Sequence, residues 1–261
     1  MKNQEIKMNH SSLQLPYLIN ESFQYSSLDS LKNCLDKNHF KNYTKNISYD
    51  YNSRGFRGAE WPTEGKLKDC IWCLGDSFTV GIGQPIEETW HYLLQQKTNT
   101  RTINISMDGA SNTWIARKAK YILKEISPAT IVIQWSYTAR RELDDASLSD
   151  IERRRHYSEK DILIDASDNK DFIKCFLDVE THKGNTDVVH TFIPHWSISP
   201  GIYLFENSNF IKLLFKYHGL YANDIKLTTD STQLDYARDG HHYDIKTSSK
   251  YVAHIMKLLQ L

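Results

Sequence analysis

The chain has 261 residues, 40% of them hydrophobic and 25% charged, which is the balance of an ordinary globular protein with room for one sizeable domain and an appendage, or for two small domains. Lys+Arg and Asp+Glu stand at 32 each, so no global field draws the chain to nucleic acid or to an anionic membrane, and a small or neutral partner is expected. Four scattered cysteines, Cys34, Cys70, Cys73 and Cys175, exclude a disulfide scaffold, and Cys70-x-x-Cys73 lacks the second Cys/His pair of a zinc site. They read as small core thiols.

Residues 1–12 are polar and lack the apolar core of a signal segment, and no apolar run approaches the ~18 residues of a bilayer span, so a cytoplasmic protein is expected. Residues 1–30, rich in Asn, Ser and Gln, read as a strap over the body or a partly ordered arm. Ser27-Leu28-Asp29-Ser30 before Leu31, Leu35 and Phe40 predicts a short capped helix ending near Asn38-His39. From 41 to 66, aromatics alternate with Gly and Pro without a helical period, which predicts turns and short extended pieces. Arg54 and Arg57 are expected to tie this lead-in down by salt bridges, the alternative being a role in substrate binding.

Next comes Cys-Ile-Trp-Cys-Leu-Gly-Asp-Ser-Phe-Thr over residues 70–79, a short apolar run ending at Gly75 before Asp76 and Ser77. It predicts a buried strand, a tight turn and a helix. A hydroxyl at such a turn lies at the carboxyl edge of a sheet beside backbone N–H groups, which makes Ser77 a candidate nucleophile. A helix is expected over 87–96, a strand over 101–106 broken at Gly109, and a helix over 112–126 stopped by Ser127-Pro128. Ile131-Val132-Ile133 reads as a strand covered on both faces. Residues 143–186 carry opposite charge clusters, among them Arg153-Arg154-Arg155, and are expected to form helices in an insertion or cap; the arginines read as a solvated face or, more sharply, as a contact to an anionic ligand. A further strand over 188–194 ends at His195, which lacks a neighbouring carboxylate and reads as pocket lining at best. Residues 205–217 read as a helix. Last, Asp239-Gly240-His241-His242 places a carboxylate and an imidazole three apart ahead of an amphipathic stretch over 247–261; a serine needs a base to take its proton, and the base needs a carboxylate to hold its tautomer.

Gly75-Asp76-Ser77-Phe78-Thr79 and Asp239-Gly240-His241-His242 together resemble the first and last blocks of the SGNH/GDSL hydrolases, with similarity over roughly 67–261. A lead-in similar to Asn52-x-x-Gly55-Phe56-Arg57-Gly58 precedes the first block in some members, which makes 1–66 an N-terminal extension packed on a catalytic domain of 67–261. The resemblance implies an α/β fold of three layers, α/β/α and flavodoxin-like, with a parallel five-stranded sheet of order 2-1-3-4-5 and the site across its carboxyl ends. It implies a serine esterase or acyl hydrolase in which Ser77 is the nucleophile, His242 its base and Asp239 the residue that holds His242, with no metal or cofactor. Gly109 matches the second-block glycine whose N–H meets the oxyanion. The third block departs from the family: where Gly-x-Asn-Asp is expected, the chain reads Gln134-Trp135-Ser136-Tyr137-Thr138-Ala139-Arg140-Arg141. Three readings stand there: Thr138 or Ser136 replaces the Asn, Arg140 or Arg141 reaches in as a charged donor, or the site is weakened or retuned. Asp76, Ser136, Arg140 and His195 are candidate substrate-binding residues, and Trp135, Tyr137, Trp196 and Tyr243 read as an aromatic wall or as core. The expected substrate is a small-molecule or glycan ester, carboxyl or O-acetyl; an O-acyltransferase and a weakened binding module are the alternatives, and the oligomeric state is open.

Overall fold

A computed structural model describes residues 11–26, 28–154, 166–193, 226–227 and 234–261. The N-terminal part holds β1 (Ser22–Phe23), α1 (Lys37–Asn42) and β2 (Tyr49–Asp50), with β1 and β2 paired antiparallel. Strands and helices then alternate: β3 (Ile71–Gly75), α2 (Ser77–Val80), α3 (Trp90–Thr98), β4 (Thr102–Ser106), α4 (Asn112–Glu125), β5 (Thr130–Trp135), α5 (Asp150–Arg153), α6 (Ala166–His182), β6 (Asp187–Phe192), β7 (Lys226–Leu227) and α7 (Ile245–Leu259).

The continuous apolar runs become parallel strands because both of their faces are covered. All five residues of β3 are buried, and β3 pairs with β4 on one side and β5 on the other, Ile71 opposite both Thr102 and Thr130. The order across the sheet is β4-β3-β5-β6-β7, with β7 joined by two residues only, Lys226 and Leu227 opposite Val189 and His190. Helices α4 and α6 pack together, as do α3 and α7, where the Trp90 and Tyr251 rings meet edge-on at 5.2 Å. Helix α4 starts where the Ser111 hydroxyl accepts the Trp114 amide (3.0 Å) and buries Trp114, Ile115, Ala119, Ile122 and Leu123 on one stripe. Helix α7 is capped in the same way by Asp244, which accepts the Thr247 amide at 2.9 Å. The mixed α/β architecture with a parallel sheet is therefore the one expected.

Three local expectations change. The helix read from Ser27-Leu28-Asp29-Ser30 starts later, at Lys37, capped by Asp36, which accepts the Asn38 and His39 amides at 2.9 and 3.0 Å. Asp29 is drawn into the interior instead, and Leu31 and Leu35 stay exposed; Ser27 lies outside the described residues. Arg57 makes no salt bridge among the described residues: its fully buried guanidinium donates to the carbonyls of Ser48, Val80, Gly81 and Gln84 at 2.6–3.1 Å, lashing the lead-in to the loop behind α2. Arg54 lies over the Trp61 ring at 4.3 Å. Within the span read as an insertion, α6 buries Phe172, Phe176 and Val179 in the main core, while the turn around α5 is tied to α4 by Arg117 on Glu142 (2.9 Å) and Lys118 on Asp150 (2.7 Å).

Candidate active site

Strand β3 ends at Gly75, where a side chain would meet the Thr79 hydroxyl at 2.1 Å, so only glycine lets the chain turn this tightly into α2. Asp76 caps that helix by accepting the Phe78 amide (3.0 Å), and Ser77 is its first residue, 1% exposed.

The distant loop is brought here by its own turn chemistry. Asp239 Oδ1 accepts the amides of His241 and His242 (3.1 Å each), and the Ala237 amide donates to the His242 carbonyl at 2.9 Å. Those bonds turn the His242 ring toward α2. Its Nδ1 lies 2.5 Å from Asp239 Oδ2, and its Nε2 lies 2.8 Å from Ser77 Oγ. All three side chains are buried.

The electrostatics follow from that arrangement. Burial works to lower the His242 pKa, but the Asp239 charge and hydrogen bond outweigh it, with Asp108 and Asp76 adding, so the ring is held above the ordinary histidine value. Burial works to raise Asp239, and the His242 charge and three hydrogen bonds outweigh it, so this carboxyl sits below the usual carboxylate range. An imidazole that accepts from a serine at one nitrogen and is held by an ionised carboxylate at the other has the geometry of a general base.

After β4, Gly109 has φ +71°, and Arg154 packs so closely that a side chain on Gly109 would meet its Cδ at 2.8 Å. Arg154 is held there by the Asp108 carbonyl and by the Asp108 carboxylate at 3.6 Å. Among the described residues the amides of Ser77 and Gly109 make no hydrogen bond.

The third stretch is ordered by a residue that the sequence reading missed. Asn112, at the start of α4, accepts the Ser136 amide (2.8 Å) and donates to the Ser136 carbonyl (2.9 Å). The Ser136 hydroxyl donates to Asp76 Oδ2 at 2.7 Å, and Arg140 Nη1 donates to the same oxygen at 2.6 Å. Thr138 is half-buried, and its hydroxyl donates no hydrogen bond among the described residues. Trp135 and Tyr243 are core rather than wall: Trp135 donates to His190 Nδ1 (3.0 Å) and the Tyr243 hydroxyl accepts from Gln134 (3.1 Å). Tyr137 is half-buried, with the Arg140 guanidinium 5.0 Å from its ring. His195 and Trp196 lie outside the described residues. A separate cavity of about 300 Å³ between the lead-in and the edge of β4 is lined by Arg57, Trp61, His91 and Arg101 among others; its two guanidinium groups are engaged with protein oxygens.

No family model matches the chain, and no curated protein matches it. Solved structures do. An acetyl xylan esterase from the rumen bacterium Butyrivibrio proteoclasticus is 11% identical, aligning 77% of this chain with 66% of its own at a TM-score of 0.49. A psychrotrophic esterase from a Pseudoalteromonas species is 16% identical over 74% of this chain and 97% of its own, TM-score 0.46. A member of the lipolytic G-D-S-L family from Veillonella parvula is 13% identical over 73% and 97%, TM-score 0.44. At these identities and TM-scores the likeness assigns nothing to this chain.

Proposed function

We propose that the chain is a serine esterase of the SGNH/GDSL type that cleaves a small acyl group, a carboxyl ester or an O-acetyl group on a small molecule or glycan, through an acyl-enzyme. The observation that carries the reading is the unbroken line Ser77 Oγ, His242, Asp239, with both hydrogen bonds at 2.5–2.8 Å. In this reading His242 Nε2 takes the Ser77 proton as Oγ attacks the ester carbonyl, and the imidazolium that forms is stabilised by Asp239, which stays ionised. The tetrahedral oxyanion is met by the Ser77 and Gly109 amides and by the Thr138 hydroxyl in place of the family's Asn. His242 then returns its proton to the leaving alcohol, and a water activated by the same ring cleaves the acyl-serine. Burial of Ser77 and His242, each 1% exposed, favours a short acyl chain.

A weakened site is the second reading, favoured by the shorter and rotatable Thr138 donor. A fluorophosphonate probe separates the two. Stoichiometric labelling of Ser77, absent in Ser77→Ala, with turnover of p-nitrophenyl acetate and falling rates for longer acyl chains, is the expected outcome. Intact protein that is neither labelled nor active on any ester of the series would overturn the esterase.

A further inference from the structure

The loop that follows α2, the helix that Ser77 opens, and the loop that bears His242 are joined through a carboxylate from the N-terminal strap. Asp29 is fully buried. Its Oδ1 accepts the amide and hydroxyl of Ser26 at 2.6 and 2.9 Å, and its Oδ2 accepts the Tyr49 hydroxyl (2.6 Å) and two Arg238 nitrogens, Nη2 at 2.6 Å and Nε at 3.1 Å. Arg238 immediately precedes Asp239. Tyr49 in turn accepts the amide of Gly83, in the loop that follows α2 (2.7 Å), and the Gly83 carbonyl accepts the Arg238 amide at 3.0 Å. A closed ring results: Gly83 to Tyr49 to Asp29 to Arg238 and back to Gly83. Burial and the Asp29 charge push the Tyr49 phenol far up, so it remains the donor to Asp29.

Other contacts from the same strap hold the same loop. Arg238 Nη2 donates to the Gln24 carbonyl (2.8 Å), the Leu35 amide donates to the Asp239 carbonyl (3.0 Å), and His39 Nε2 lies 2.8 Å from the Ala237 carbonyl. Resting on the esterase reading above, we infer that Asp29 is a positioning residue: through Arg238 and Tyr49 it sets the distance between the nucleophile's loop and the base's loop. It touches no reacting atom. Displacement of a catalytic group by about 1 Å is enough to lower turnover on the order of 100-fold, so a ring that fixes this spacing bears on kcat rather than on substrate affinity.

The test compares Asp29→Asn with the wild type in the full chain, using p-nitrophenyl acetate, fluorophosphonate titration of active sites, and the downfield proton resonance of the His242–Asp239 hydrogen bond. Per titrated site, kcat should fall about 10- to 100-fold with KM within about threefold, and the resonance should weaken or shift. Tyr49→Phe, which removes only the hydroxyl, should lower kcat about 3- to 10-fold and replaces Asp29→Asn if that variant does not fold. Wild-type kcat per site with an unchanged resonance overturns the inference, whatever the melting temperature does, because a purely structural role lowers only the number of active sites. If the wild type itself fails to label, the esterase reading fails; the clasp is then judged by the resonance alone, its loss in the variant supporting the inference and its persistence overturning it.

Discussion

Replacing Asp239 by Asn isolates what the carboxylate does for the imidazole. The asparagine oxygen can still accept the His241 and His242 amides, so the loop keeps its turn. Its amide nitrogen, however, faces His242 Nδ1 as a donor. The ring must then carry its proton on Nε2, aimed at Ser77, and cannot accept the serine proton. A tautomer fault of this kind costs about 10⁴ in kcat, or about 5.5 kcal/mol of transition-state stabilisation. The pH profile should change as well. On the proposed mechanism the wild-type base works when neutral, so kcat/KM should rise through a His242 pKa lying above the ordinary ~6.5. In the variant burial is opposed only by the smaller pulls of Asp108 and Asp76, so whatever activity survives should rise at lower pH. The stability signs are separable: depressed Asp239 contributes above its unfolded pKa near 4 and loses that contribution as pH falls through its lower folded value, whereas raised His242 contributes below ~6.5 and loses its part as pH rises through its higher folded value. The melting temperatures of wild type and variant should therefore differ most between about pH 4 and 6.5. Turnover of p-nitrophenyl acetate and fluorophosphonate labelling rates from pH 4 to 9 check the catalytic part. A variant within tenfold of wild type at pH 8, with its inflection unmoved, would refute the base assignment.

Thr138→Val should lower turnover about 10²-fold while Thr138→Ser stays within tenfold, measured as kcat on the same ester; equal rates for all three proteins remove Thr138 from the oxyanion site. Arg57→Met strips the carbonyls of Ser48, Val80, Gly81 and Gln84 of their shared donor and should destabilise the fold by about 3 kcal/mol in urea unfolding. His91 is buried and its pKa is lowered to about 3, chiefly by burial, so the folded state refuses a proton that the unfolded chain takes below ~6.5. Stability should accordingly fall by about 1.4 kcal/mol per pH unit between pH 6 and 4, and His91→Gln should flatten that slope; an identical slope in the variant contradicts the assignment.

The parallel sheet was legible because its strands are continuous apolar runs and its helices carry one-sided stripes, signals that need no partner to be read. The pairing of Ser77 with Asp239 and His242 was legible only through spacing and resemblance. Contacts in which a side chain meets backbone far along the chain left no local signature. Arg57 was expected to seek carboxylates, but a guanidinium presents five donors, and four converging carbonyls take up those of its two terminal nitrogens while Nε stays buried without a partner among the described residues. Asp29 sat in a pattern that fits a helix cap, and nothing near it announced Arg238. Asn112 opens a helix, where Asn is ordinary; its grip on Ser136 appears only when β5 is set beside α4.

The third stretch raises a question of charge as much as of geometry. Asp76 directly precedes Ser77, the proposed nucleophile, and its carboxylate is fully buried. A unit negative charge at about 6 Å from a forming oxyanion would oppose it by about 3 kcal/mol at an effective dielectric constant of about 20, enough to slow acylation about 100-fold. The Ser136 hydroxyl and Arg140 Nη1 both donate to that carboxylate, so on the esterase reading the Ser136 hydroxyl is engaged and we propose that Arg140 acts by cancelling a field rather than as the missing donor. This separates two mechanisms that a single substitution cannot. Arg140→Met should reduce kcat about 100-fold by leaving Asp76 uncompensated. Adding Asp76→Asn, whose oxygen can still cap α2 at the Phe78 amide, removes the opposing charge and should return kcat to within about tenfold of wild type. If the double variant is as slow as Arg140→Met alone, the guanidinium itself meets the oxyanion, and Thr138 is not the third oxyanion donor.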